Sequence, residues 1–118
     1  MKANELRIGN LFVDKKTKTI INIIGLTEQY ITFSGHFKND WQAKPIPLTE
    51  EWLLKFGFDK HFEDFEKKIV GFYLTYNFND GISLNGKYMD EPIYIDGEYV
   101  HQLQNLYFAL TGEELTIN

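Results

Sequence analysis

Three groupings of side chains in this 118-residue sequence have the types and spacing that chemistry needs. The first is His101, three residues after Glu98 and one helical turn before Asn105. An imidazole between a carboxylate and an amide can act as a base where a cleft lies over it. More commonly such a ring hydrogen-bonds locally and fixes how a helix meets its sheet. The second grouping is His61, Glu63 and Asp64. An extended segment would put His61 and Glu63 on one face, which is half a metal site at most. A solvated polar edge is the better reading. The third is Lys15, Lys16 and Lys18 in one turn, with Phe12, Tyr30, Phe37 and Trp41 nearby in sequence. Basic residues beside aromatics on a small barrel can hold a nucleic-acid backbone and stack its bases. Three lysines are few for that task, and acidic residues elsewhere oppose it.

The edge formed by His101, Gln102 and Asn105 is the most suggestive of these. Amides beside the apolar Leu103, Leu106 and Phe108 can satisfy neighbouring backbone groups. Exposed, they would form a mixed apolar and polar patch suited to a protein partner. No Gly-rich phosphate loop, spaced glycine triplet or His-Glu-x-x-His helix occurs. Neither Ser34 nor Ser83 sits in a strand-to-helix elbow between glycines. With no cysteine, thiolate zinc sites, disulfides and cysteine nucleophiles are excluded. The expectation is a non-enzyme, with no catalytic residue, no metal and no cofactor.

The elements that must position these residues are legible as a pattern. Arg7 to Val13 reads as a strand interrupted at Gly9-Asn10, followed by a polar turn at Asp14-Lys15-Lys16-Thr17. Thr19 to Ile24 is β-branched on both faces, as in a strand covered on both sides. Tyr30 to Ser34 alternates, with Ile31 and Phe33 on one face. A polar loop, 35–40, leads to a fourth short strand over Trp41 to Pro47. Four strands in this space suggest a meander or a small SH3-like barrel. A helix then follows, with Thr49 as N-cap, Glu50 and Glu51 in its first turn, and Leu48 and Leu53 at the staple positions. Gly57 is expected at C′, with Phe58 folding back on Leu53. Phe62 to Glu66 reads as either strand or polar loop.

Ile69 to Phe78 reads as one long strand, with Val70, Phe72, Leu74, Tyr76 and Phe78 on one face. Asn79-Asp80-Gly81 turns the chain into Ile82-Ser83-Leu84, and Asn85-Gly86 is a hairpin signal. Lys87 to Ile95 gives a further strand, irregular at Pro92. The last helix is expected from about Tyr99 to Leu110, stopped by Gly112, with its second half deeply buried. Leu115 and Ile117 suggest a terminal strand. The fold class is therefore α+β: N-terminal antiparallel strands with an SH3-like character, a short middle helix, an antiparallel meander, and a C-terminal helix packed on the sheet. The length suits a single domain over residues 1–118.

Composition sets the remaining bounds. Hydrophobic residues make up 43% and aromatics 16%, enough for a core without staples. The net charge of −5 is unevenly spread. Residues 1–20 carry five cations against two carboxylates, whereas residues 80–118 carry seven carboxylates against Lys87 alone. One face can therefore attract anions although the whole is acidic. No apolar signal-like run opens the sequence, and Ile20 to Leu26 is too short to span a bilayer. The expected setting is the cytoplasm, away from membranes.

Three segments also carry a resemblance: Asn4 to Asn10 (NELRIGN), Ile46 to Phe58 (IPLTEEWLLKFGF), and Tyr99 to Leu115 (YVHQLQNLYFALTGEEL). On these residues the chain resembles a family of small uncharacterised bacteroidete proteins, often found in prophages or mobile elements. The resemblance implies a setting only, an intracellular bacterial or phage accessory protein, and no ligand or catalytic residue. The combined expectation is a protein-binding module whose partner is another protein or a second copy of itself. The alternative is a nucleic-acid-binding accessory protein using Lys15, Lys16 and Lys18.

Overall fold

The computed structural model describes residues 6–27, 30–34, 43–69, 71–86, 91–95 and 97–117. Its elements are β1 (Leu11–Asp14), β2 (Ile20–Leu26), β3 (Ile31–Phe33), β4 (Ala43–Pro45), α1 (Glu50–Lys55), β5 (Asp59–His61), β6 (Asp64–Ile69), β7 (Phe72–Asn77), β8 (Gly81–Gly86), β9 (Ile93–Ile95) and α2 (Val100–Thr111). The class is α+β, with two antiparallel sheets. Contacts divide the chain into two compact units. Met1–Pro47 with Tyr99–Leu106 form one, and Leu48–Glu98 with Tyr107–Asn118 the other.

The first unit holds the sheet β3-β2-β1-β4. Its fourth strand returns to pair with the first, an order that fits the expected SH3-like curl, and a register shift between Ile23 and Gly25 bends β2. Phe12, Ile21, Ile23, Phe33 and Ala43 join Leu6 in its core. From α2, Val100, His101, Leu103 and Gln104 are buried, and the His101 ring stacks on Phe12 of β1. The expectation that β2 is covered on both faces is corrected: Ile20 and Ile24 are 50% and 53% exposed. This antiparallel sheet buries one face, so alternate β-branched residues stand outward. Trp41, Phe37 and the loop 35–40 lie outside the described residues.

The second unit holds the meander β5-β6-β7-β8-β9. Residues opposite one another across three strands share its buried face: Phe65, Tyr76 and Ile82 in one row, Lys67, Leu74 and Leu84 in the next. The long strand expected over Ile69 to Phe78 is instead two strands. Ile69 pairs with Phe72, and Gly71 turns the chain at φ +78, a conformation that side chains with a Cβ disfavour. Val70 and residues 87–90 lie outside the described residues, and Asn85 and Gly86 pair as the end of β8.

α1 forms as its ends demand. The Trp52 N–H donates to the Thr49 hydroxyl. At the other end Gly57 N–H donates to Leu54 C=O and Phe58 N–H to Leu53 C=O, both at 3.0 Å, with Gly57 at φ +87. This pair of bonds is the Schellman closure. Lys67 adds a cation where the helix dipole is negative, donating from Nζ to Phe56 C=O at 3.0 Å.

α2 ends at Gly112, whose φ is +73. Its second half is not the deep part expected: Phe108, Ala109 and Leu110 are exposed, and the buried positions are all in the first half. The apolar run there continues past the stripe that meets a sheet. Leu115 is buried without strand pairing, and Ile117 is exposed.

Candidate functional site

His101 is closed in rather than set under a cleft. Its ring lies between Phe12, at 5.0 Å and 20°, and Tyr99, at 5.9 Å and 12°, and the residue is 7% exposed. Gln102, the third residue of α2, reaches back and accepts from Tyr99 N–H at 3.0 Å. That is the reciprocal half of a capping box. Asn105 Oδ1 accepts from Arg7 Nη1 at 3.0 Å and from Asn10 Nδ2 at 2.8 Å. These three residues are thus engaged inside the first unit. Sequence reasoning passed over Gln104 between them. Its carboxamide accepts from Leu11 N–H at 2.8 Å and donates to Gly9 C=O at 3.4 Å, at the place where Gly9 N–H and Asn10 C=O both bond to Ile23 of β2. A Gln on the buried side of an amphipathic helix was the available signal, because a buried amide needs partners.

Lys15, Lys16 and Lys18 are all exposed on the β1–β2 turn. Asp14 builds this turn: its Oδ1 accepts from Lys16 N–H at 2.8 Å, and its C=O accepts from Lys18 N–H at 2.8 Å. Burial pushes the Asp14 carboxyl up, but the N–H groups of Lys16 and Thr17, the Thr17 hydroxyl and the Lys16 charge outweigh it. Its pKa therefore lies below the ordinary value. Of the aromatics near this turn in sequence, Phe12 is fully buried and presents no face to a base, whereas Tyr30 is exposed.

His61, Glu63 and Asp64 prove to be a hairpin end, with His61 paired to Asp64 across a two-residue loop, Phe62-Glu63. Asp64 Oδ1 accepts from Asn77 Nδ2 at 2.7 Å. Among the described residues no group of three or more His, Cys, Asp or Glu is arranged to hold a metal ion.

The hairpin end also shows what sequence reasoning missed. Phe62 is 97% exposed and has φ +58. A two-residue hairpin loop with positive φ at its first position normally carries Gly there. A bulky residue in that conformation is a strained outlier. Beside it opens a cavity of about 340 Å³, walled by Phe62, Phe65 and Phe78 together with Glu50, Lys60 and Glu63. Phe78 stands edge-on to Phe65 at 5.8 Å and to Tyr76 at 5.1 Å. A second depression of about 220 Å³ shares Phe78 and adds Tyr76, Asp80 and Glu98. Burial, and then the negative charge of Glu98, push the Tyr76 phenol up. The sequence signal was an aromatic among polar neighbours, His61-Phe62-Glu63-Asp64, at a place where strand and loop read equally well.

Compared with protein-family models, with curated proteins and with solved structures, the chain finds no match in any of the three. Among the described residues no helix is long and apolar enough to cross a membrane, which says nothing of a β-barrel.

Proposed function

We propose that this chain is a non-enzymatic binding module that acts through protein contacts, with the hairpin end of the second sheet as its contact surface. One observation carries the reading: Phe62 stands 97% exposed in a backbone conformation suited to Gly. An aromatic kept in solvent at a conformational cost serves no packing purpose, and aromatics anchor protein interfaces. The resemblance to bacteroidete prophage proteins is the basis for setting the module in the cytoplasm, within a phage or mobile-element assembly. The test is capture of partners by the tagged protein from its native cells, with and without nuclease, read by mass spectrometry. A stoichiometric protein that survives nuclease and is lost from Phe62→Gly supports the module. A partner set indifferent to Phe62→Gly removes it.

A second reading, nucleic-acid binding, is favoured by the three exposed lysines on the turn that Asp14 organises. It requires oligonucleotide affinity that falls steeply with salt and that weakens when Lys15, Lys16 and Lys18 become Ala. Affinity untouched by the triple substitution would end it.

A further inference from the structure

Resting on the protein-binding reading, we propose that the cleft at Phe62 and Phe78 takes an arginine or lysine side chain from a basic segment of the partner protein. The argument begins with the walls. Aromatic faces carry negative charge density and attract cations, more strongly where water is partly excluded. Phe62 and Phe78 are both largely exposed, 97% and 55%, so their rings are open to a ligand. Carboxylates surround them: Glu50 and Glu63 line the larger cavity, Asp80 and Glu98 the depression that adjoins it through Phe78. Lys60 is the single cation among the described residues lining the two.

Lys60 itself demonstrates the chemistry. Its ammonium lies 5.9 Å from the centre of the Phe65 ring and 2.6 Å from Glu50 Oε1. On one wall, then, the chain already holds a cation between an aromatic face and a carboxylate. Phe62, Phe78 and Glu63 line the same cavity, and Asp80 lines the depression that shares Phe78 with it. Neither of these two carboxylates has a cationic partner within 4.0 Å among the described residues. The cavity, about 340 Å³, is at the small end of ligand pockets. It suits one or two side chains rather than a large cofactor. A peptide is favoured as occupant because the exposed Phe62 can lie against an arginine plane or a lysine stem while Glu63 and Asp80 meet its charge.

The test uses the full chain and an acetylated, amidated tetra-arginine peptide, followed by backbone amide chemical shifts and by fluorescence anisotropy of the labelled peptide. The expected shifts concentrate at Phe62, Glu63, Phe78, Asn79 and Asp80. Phe62→Gly and Asp80→Asn should each weaken binding by about ten-fold, the upper range for losing a cation–π contact or a close charge. Glu113→Gln, which removes the same charge at a residue that lines neither hollow, should change it less than two-fold, because salt screens exposed charges outside the contact. Shifts spread evenly over acidic residues, or equal losses from Asp80→Asn and Glu113→Gln, would reduce the effect to bulk charge and overturn the proposal. Spermidine binding as tightly as the peptide would overturn the choice of a peptide occupant. A captured partner that depends on Phe62 yet is not displaced by the peptide would overturn the cationic occupant and leave the binding module standing. Displacement by the peptide supports both.

Discussion

Asn10 and Asn105 lie 95 residues apart in sequence and are joined by one hydrogen bond, Nδ2 to Oδ1 at 2.8 Å. Asn10 has no exposure, and Arg7 completes the group by donating to the same Asn105 oxygen at 3.0 Å. The start of the described chain and the terminal helix are thus bonded to one another within the first unit.

Removing the shared acceptor should be costly. Asn105→Ala leaves the Asn10 amide buried without that partner, and a buried unsatisfied group costs about 1–3 kcal/mol. Urea unfolding is expected to show this loss as a lower midpoint with an unchanged slope. The double substitution with Asn10→Ala should cost less than the sum of the two singles, because they break the same bond. Additive losses would show that the bond contributes little.

Asp14 gives a pH dependence with a definite sign. Its carboxyl is held below its ordinary pKa in the folded protein, so the charged form favours folding. This contribution is present above the unfolded-state value of about 4 and is lost as pH falls through the lower folded-state value. Asp14→Asn keeps an oxygen acceptor for the turn but drops the charge. The wild-type protein should be the more stable of the two at pH 7, and the difference should vanish towards pH 2. A difference independent of pH would place the effect in the amide, not the charge.

Much of the fold was legible because local signals agreed with tertiary demand. Thr49, Gly57 and Phe58 marked α1 through caps that need no distant partner, and Gly112 ended α2 in the same way. The break between β6 and β7 was hidden because Ile69 to Phe78 keeps an apolar alternation on both sides of Gly71, so period alone read it as one strand. The roles of Gln104 and Asn105 needed knowledge of what lies opposite the helix, which single-sequence spacing does not contain. Phe62 was hidden for another reason. Its exposure contradicts its residue type, and such local disagreements fall at functional or strained positions.

Tyr76 supplies an alkaline counterpart. Burial and the neighbouring Glu98 raise its phenol, so the neutral form favours folding. That contribution is complete below the unfolded-state value of about 10 and is lost as pH rises through the higher folded-state value. Absorbance at 295 nm should show a tyrosine ionisation above the ordinary phenol value, and Tyr76→Phe should delete that late step. The variant should also lose less stability than the wild type above pH 10. A titration in which Tyr76→Phe removes an early step would overturn the assignment.

Phe62→Gly separates stability from contact. The side chain is almost wholly in solvent, so its removal takes away little buried surface, while Gly accepts φ +58 without a steric penalty. Strain of this kind costs on the order of 1–3 kcal/mol, part of which Gly returns in the greater freedom of its unfolded chain. The net expectation is a gain of about 0.5–1 kcal/mol in thermal or urea unfolding. Phe62→Ala, which removes the ring and keeps the Cβ strain, should leave stability within about 0.5 kcal/mol of the wild type. Both should lose the partner equally, because both lack the ring. A protein destabilised by more than about 1 kcal/mol by either change would mean that Phe62 packs against the sheet, with no role as a contact.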